Sequence, residues 1–308
     1  MTLLKKYTKG NIGGIICLFA AMLMLTFGNE LKNGVKDGLS ISYNIIVPTL
    51  FPFFILSDLW SQSLAVMPDS LLGKAFKKLF GINGAGASAF ICGMFCGFPI
   101  GVKASVNSYE LGKINRDEAQ LLCALASNPS CAFVISGIGL GMYGSIKIGI
   151  LLYFCVIISA VIIGCTFRLK GDDNHFYSDN SGQSFNLVDS IRSAGLSSIA
   201  VSSYIIFFSA LTALFRSICQ IKALSITFVC LAEISSACLF MKEIWPSPTP
   251  ASLAITAFAL GFSGFSVHMQ AFSFVPREIS RIKFLTTKLL VGVLSSILIS
   301  IFSIIPKI

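Results

Sequence analysis

Three short stretches combine helix-breaking residues with polar side chains in apolar surroundings. In CGMFCGFPIGVKA (92–104), Gly97, Pro99 and Gly101 close an uncharged run of 24 residues, 79–102, and Lys103 follows at once. Two chemistries suit such a lysine. It either snorkels to lipid headgroups, or it faces a cavity as a fixed cation whose desolvation an anionic solute or a carboxylate offsets. In SNPS (127–130), Pro129 removes a backbone donor, Asn128 brings both a donor and an acceptor, and Ser130 adds a hydroxyl. This is either a tight turn between short spans or a second break whose amide reads substrate oxygens. FSGFSVHMQA (262–271) carries Gly264, His268 and Gln270. Imidazole changes charge near neutral pH, although a lone histidine hydrogen-bonded across helices is the commoner case. Asp58 and Glu233 are acids inside or beside apolar runs. Each is a candidate for possible coupling as a proton or cation carrier, for pairing with Lys103, or for capping a span at the interface.

Other chemistries lack their residues. There is no G-x-S-x-G, H-E-x-x-H or P-loop, and the two histidines, His175 and His268, are far apart. No catalytic residue, cofactor or enzymatic activity is therefore assigned. All ten cysteines fall in apolar segments; Cys92 and Cys96 are one helical turn apart, but no histidine or carboxylate nearby completes a metal site.

The elements that must position these groups are membrane helices. The 308 residues are 55% hydrophobic and 12% charged, with mean hydropathy +0.82. Soluble domains carry about 25% charged residues. Uncharged runs at 10–28, 38–57, 79–102, 119–146, 148–167 and 193–215 approach or exceed the ~20 residues that cross a bilayer core. Three more, 223–241, 244–276 and 284–305, are candidates, the first interrupted by Glu233 and the last by Lys288. The expected fold is an all-α polytopic membrane protein with about 8–10 segments, some broken or re-entrant. Lys5, Lys6 and Lys9 before the first run suggest an uncleaved helix with a cytoplasmic basic end. The net charge of +9 sits mostly in short loops, where orientation and headgroup contact explain it better than nucleic acid does. The lipid bilayer is the expected partner, and the sequence leaves homo-oligomerisation open.

The chain divides into an N-terminal helix and loop (1–38), a first unit (39–168), a hydrophilic linker (169–186) and a second unit (187–308). FSGFSVHMQA lies over FCGFPIGVKA (95–104) at an offset of 167, and 201–208 over 47–54 at 154, so the second unit is expected to carry about 13 extra residues. Duplication with interrupted hydrophobic segments at matching places is a pattern of secondary transporters. Breaks leave backbone groups that lipid cannot satisfy, so they persist only inside protein or beside a watery cavity.

The order PTLFPFFILSDLW, GFPIGVKA, YELGKINRDEAQLL, SNPSCAFV and GIGLGMYGS resembles the YlbJ family of sporulation integral membrane proteins, densely over 48–145 and more thinly to about 305. These belong with the nucleoside-recognition, or Gate, membrane domains, related to concentrative nucleoside transporters. The resemblance implies two inverted repeats and export of dipicolinate, a planar dianion, across the outer forespore membrane from the mother cell. It also implies a first discontinuity at Gly97, Pro99, Gly101 and Lys103, and a second at Asn128 and Ser130. On this reading Lys103 and Asn128 hold the carboxylates, with His268 and Gln270 opposing. A nucleoside, a metal cation or a non-transporting scaffold role are the alternatives.

Overall fold

The computed structural model describes residues 14, 17–19, 21–63, 71–169 and 186–304, and every regular element among them is helical. Lys5, Lys6, Lys9 and most of the hydrophilic linker, 170–185, lie outside the described residues. Helix α1 (Gly28–Ile41) passes through a wide-turn stretch, Ser42–Ile46, into α2 (Val47–Ser63). Then come α3 (Leu71–Phe80), α4 (Gly84–Cys96), α5 (Ile100–Glu110), α6 (Arg116–Leu125), a second wide-turn stretch, Phe133–Leu140, and α7 (Ile146–Thr166). After the linker follow α8 (Leu187–Ile218), α9 (Lys222–Ala232), α10 (Ile234–Ile244), α11 (Pro250–Phe262), α12 (Gly264–Phe272) and α13 (Arg281–Ile304).

Ile146–Thr166, Leu187–Ile218, Pro250–Phe272 and Arg281–Ser303 are long and apolar enough to cross a bilayer. α3 and α4, bent by 92°, form a broken fifth candidate. The uncharged runs thus separate into these spans and shorter helices that stop at breaks. Helix α13 shows why the spans suit lipid. Its outward stripe, Ile282, Leu289, Val293, Ile297 and Ile301, is exposed and apolar, while Phe284, Lys288, Val291, Ser295 and Ile299 are buried. Polar groups face inward, the reverse of a soluble helix.

The glycines of GMFCGFPIG fold the chain back on itself. A Cβ on Gly101 would lie 2.6 Å from the Cα of Gly93, although eight residues of straight helix separate them by about 12 Å. α4 and α5 are therefore a hairpin with its tip at 97–99, where Gly97 has φ +85°. α9 and α10 likewise pack on each other about Glu233, whose backbone is extended (φ −150°, ψ 122°). By contrast α11 and α12 continue as one pass, interrupted at Ser263 (φ 79°) and Gly264 (φ 74°). α6 is interrupted at 126–130 before helix resumes.

Hairpin, interrupted pass and full span thus occur twice in the same order. Glu233 lies 135 residues after Phe98, Ser263 135 after Asn128, and Arg281, the start of α13, 135 after Ile146, the start of α7. The offset of 167 does not share this spacing. FCGFPIGVKA forms a hairpin tip and FSGFSVHMQA a kinked pass, so their identities align unlike elements. The extra residues before the hairpin belong to the first unit, where α3 intervenes.

Directions follow from paired contacts. Gln120 exchanges two hydrogen bonds with the backbone of Ser280 (2.6 and 3.1 Å), and Lys288 donates to Ser127 O and to Asn128 Oδ1. Contacts eight residues apart on both segments mean that α6 with its interruption and α13 run parallel. A Cβ on Gly261 would lie 2.7 Å from the Cα of Gly292, and the short 273–280 connection makes α11 antiparallel to α13.

The charged segment after the hairpin anchors it. Asn115 and Glu118 form a capping box on α6, and Glu118 also accepts from the backbone N–H of Asn83 at 3.2 Å, the residue that caps α4. Glu118→Ala removes both links and is expected to cost about 2 kcal/mol. Thermal unfolding in detergent should show a lower midpoint for this variant.

Candidate functional site

The four breaks meet in pairs. Gly93, Gly97 and Gly101 form a stripe along the first hairpin against the 126–130 interruption. Cβ atoms at Gly93 and Gly101 would approach Ala126 O to 2.2 and 2.1 Å, and one at Gly97 would approach Ser130 N to 2.7 Å. Any side chain there would force the two breaks apart. In the second unit a Cβ on Gly264 would lie 3.3 Å from Ala232 O, so the kinked pass rests on the second hairpin's tip. Glu233 closes that tip, its carboxylate accepting from the backbone N–H groups of Ser235 (3.0 Å) and Ser236 (2.5 Å) at the start of α10. A carboxylate at a helix N-terminus satisfies donors that the break leaves open.

Between the pairs lies a cavity of about 560 Å³, within the range of small-molecule sites. The first unit contributes Gly97, Phe98, Ser130 and Ser136, and the second contributes Glu233, Ser235 and Gln270. Pro48, Phe53, Val201 and Ile205 from α2 and α8 complete apolar walls. Few polar groups converge in a mostly apolar space, and the helix resuming beyond Ser130 presents its N-terminal end there.

Of the residues singled out by sequence, Gly97, Ser130, Glu233 and Gln270 line this cavity. Pro99, Gly101, Pro129 and Gly264 are buried where they shape the breaks. Lys103 is placed elsewhere. Its Nζ lies 2.9 Å from Asp58 Oδ1 and donates to Ser193 Oγ at 2.7 Å, tying the second arm of the hairpin to α2 and α8. Of the chemistries open to this lysine, the carboxylate pairing is the one observed.

Asn128 is engaged at both ends of its amide: Nδ2 donates to Leu125 O at 2.6 Å and Oδ1 accepts from Lys288 at 3.5 Å. His268 is 1% exposed, and neither of its ring nitrogens has a hydrogen-bond partner. It packs among Phe262, Phe265, Phe272 and Phe284, with centroids 4.7–6.4 Å away. The expected cluster of Lys103, Asn128, His268 and Gln270 is thus divided among three places.

Lys288 is the residue that sequence reasoning passed over. It is fully buried and reaches the first unit's interruption from the last span. Its signal was a lysine inside an apolar run, read only as an interruption of that run.

No family model matches the chain, and no solved structure matches it. Among curated proteins it is similar to the sporulation integral membrane protein YlbJ of Bacillus subtilis (strain 168), with 24% identity over 327 aligned residues, 92% of this chain and 80% of that protein. The similarity runs nearly end to end through the apolar spans and both hairpins, and it supports the resemblance to the YlbJ sporulation integral membrane proteins.

Proposed function

We propose that this protein is a membrane carrier for a small organic anion and that it exports dipicolinate toward the forespore. The observation that carries the reading is the convergence on one cavity of two hairpin tips, the first interruption at Ser130 and the helix that follows the second, through Val267 and Gln270. Interrupted helices are costly in a bilayer and recur in transporters, where their ends bind solute. The equal 135-residue spacings, with α6 parallel and α11 antiparallel to α13, support two units of inverted direction. That arrangement suits gating of a central site from either side by the hairpins.

The anion's contacts differ from those expected. Ser130, Ser136, Ser235, Gln270 and the helix end beyond Ser130 are the donors available, Phe98 and Phe133 supply aromatic surface to the lining, and Glu233 is turned toward two backbone N–H groups. No catalysis is assigned. The site of action proposed with dipicolinate export is the outer forespore membrane.

The test is reconstitution in liposomes with labelled dipicolinate, nucleosides and ferrous iron under imposed ion gradients. Saturable dipicolinate flux that exceeds the other two supports the reading. Faster nucleoside or iron flux moves the substrate class, and flux of all three no greater than in protein-free liposomes favours a scaffold. Gln270→Leu is expected to lower dipicolinate flux about tenfold at subsaturating concentration, the loss of one hydrogen bond to a charged group.

A further inference from the structure

The polar cluster around Lys288 lies outside the cavity and has no part in the transport reading above. Lys288 Nζ sits where 126–130 leaves the helix, held by the main-chain oxygen of Ser127 and the side-chain oxygen of Asn128. Both ligands are neutral oxygens freed or supplied by the break. Among the described residues no carboxylate stands within ion-pair distance of Lys288, unlike Lys103, which pairs with Asp58.

An ammonium carries three donors. Two acceptors are accounted for, and the hydroxyl of Ser127 lies buried without a partner beside them. His268, which packs on Phe284 one turn before Lys288, adds two more unpartnered buried nitrogens. Around Lys288 the break therefore gathers neutral oxygens about a single positive charge. Carbonyl, amide and hydroxyl oxygens at an unwound helix are the ligand set that holds a free monovalent cation in broken-helix transporters.

We infer that Lys288 is a tethered cation occupying a monovalent-cation site built by the 126–130 break, in the place of a free sodium or potassium ion. The break then carries its own positive charge through every conformation of the protein. No cation need bind from solution to hold it together, and shortening the side chain opens the site to a free ion. This holds whichever solute the cavity takes, so its test needs no solute.

The purified full-length protein in detergent is melted in sodium, potassium, ammonium or choline chloride at equal ionic strength. The wild type is expected to melt at one temperature in all four. Lys288→Ala should melt lower in choline and recover on the order of a few degrees, saturably, with at least one of the small cations. Lys288→Met, which fills the space without charge, should melt lower and recover with none. Saturable stabilisation of the wild type by sodium or potassium over choline overturns the inference, as does equal recovery of the methionine variant. Absence of recovery in a folded Lys288→Ala overturns it too. If the alanine variant does not fold, equilibrium binding of radioactive sodium to the wild type decides: saturable binding abolished by Asn128→Ala overturns the inference, and its absence supports it.

Discussion

Asp58→Ala is expected to destabilise the protein by about 3–5 kcal/mol, because it strands the Lys103 ammonium in a side-chain environment only 12% exposed. The remaining partner, Ser193 Oγ at 2.7 Å, is a neutral hydroxyl that cannot balance the charge. The double variant Asp58→Ala, Lys103→Met should recover most of the loss, since an uncharged pair requires no compensation. A double-mutant cycle on thermal or denaturant unfolding in detergent checks this. If the single and double variants are equally unstable, the pair does not hold the hairpin arm. This outcome also separates structure from transport, because the pair lies outside the cavity lining and the double variant, once folded, is expected to carry solute at close to the wild-type rate.

The second large effect is steric. Gly101→Val places a Cβ about 2.1 Å from the Ala126 carbonyl oxygen, a backbone atom that cannot turn aside. Overpacking costs about 1–3 kcal/mol where side chains can yield; here the first hairpin must leave the interruption it rests on. Loss of the folded protein, or of all flux in any variant that inserts, is the expected result in purification yield and liposome assays. Gly195→Ala is the control, since nothing lies within 4 Å of a Cβ there and the helix gains about 0.5–1 kcal/mol.

The breaks were legible in the sequence because proline removes a helix donor, and glycine and asparagine favour non-helical backbone even inside an uncharged run. Gly97–Pro99 and Asn128–Pro129 stand at breaks in the helices. A hairpin tip and a kinked pass, however, look alike in sequence. Both demand glycine, and only the approach of Gly93 to Gly101 reveals the reversal. The offset of 167 arises for a related reason. FCGFPIGVKA and FSGFSVHMQA share small and aromatic residues that any break in a membrane favours, whereas the 135-residue spacing appears only once helix ends are known. The role of Lys103 was open between headgroup, solute and carboxylate, and choosing among them required knowing that α5 packs beside α2. Lys288 was visible as a charge in an apolar span. What it touches lies some 160 residues away, beyond the reach of local pattern.

The two contacts joining α6 to α13 also limit how the molecule can change shape. Gln120 with Ser280 and Asn128 with Lys288 fasten two rods at points about 12 Å apart. One fastening permits swivelling; two, at equal intervals on both rods, stop sliding and tilting alike. The first unit's interrupted pass therefore travels with the second unit's last span, and the halves are geared to each other. Displacement that opens the cavity to either side has to come from the hairpin tips moving across this fixed pair.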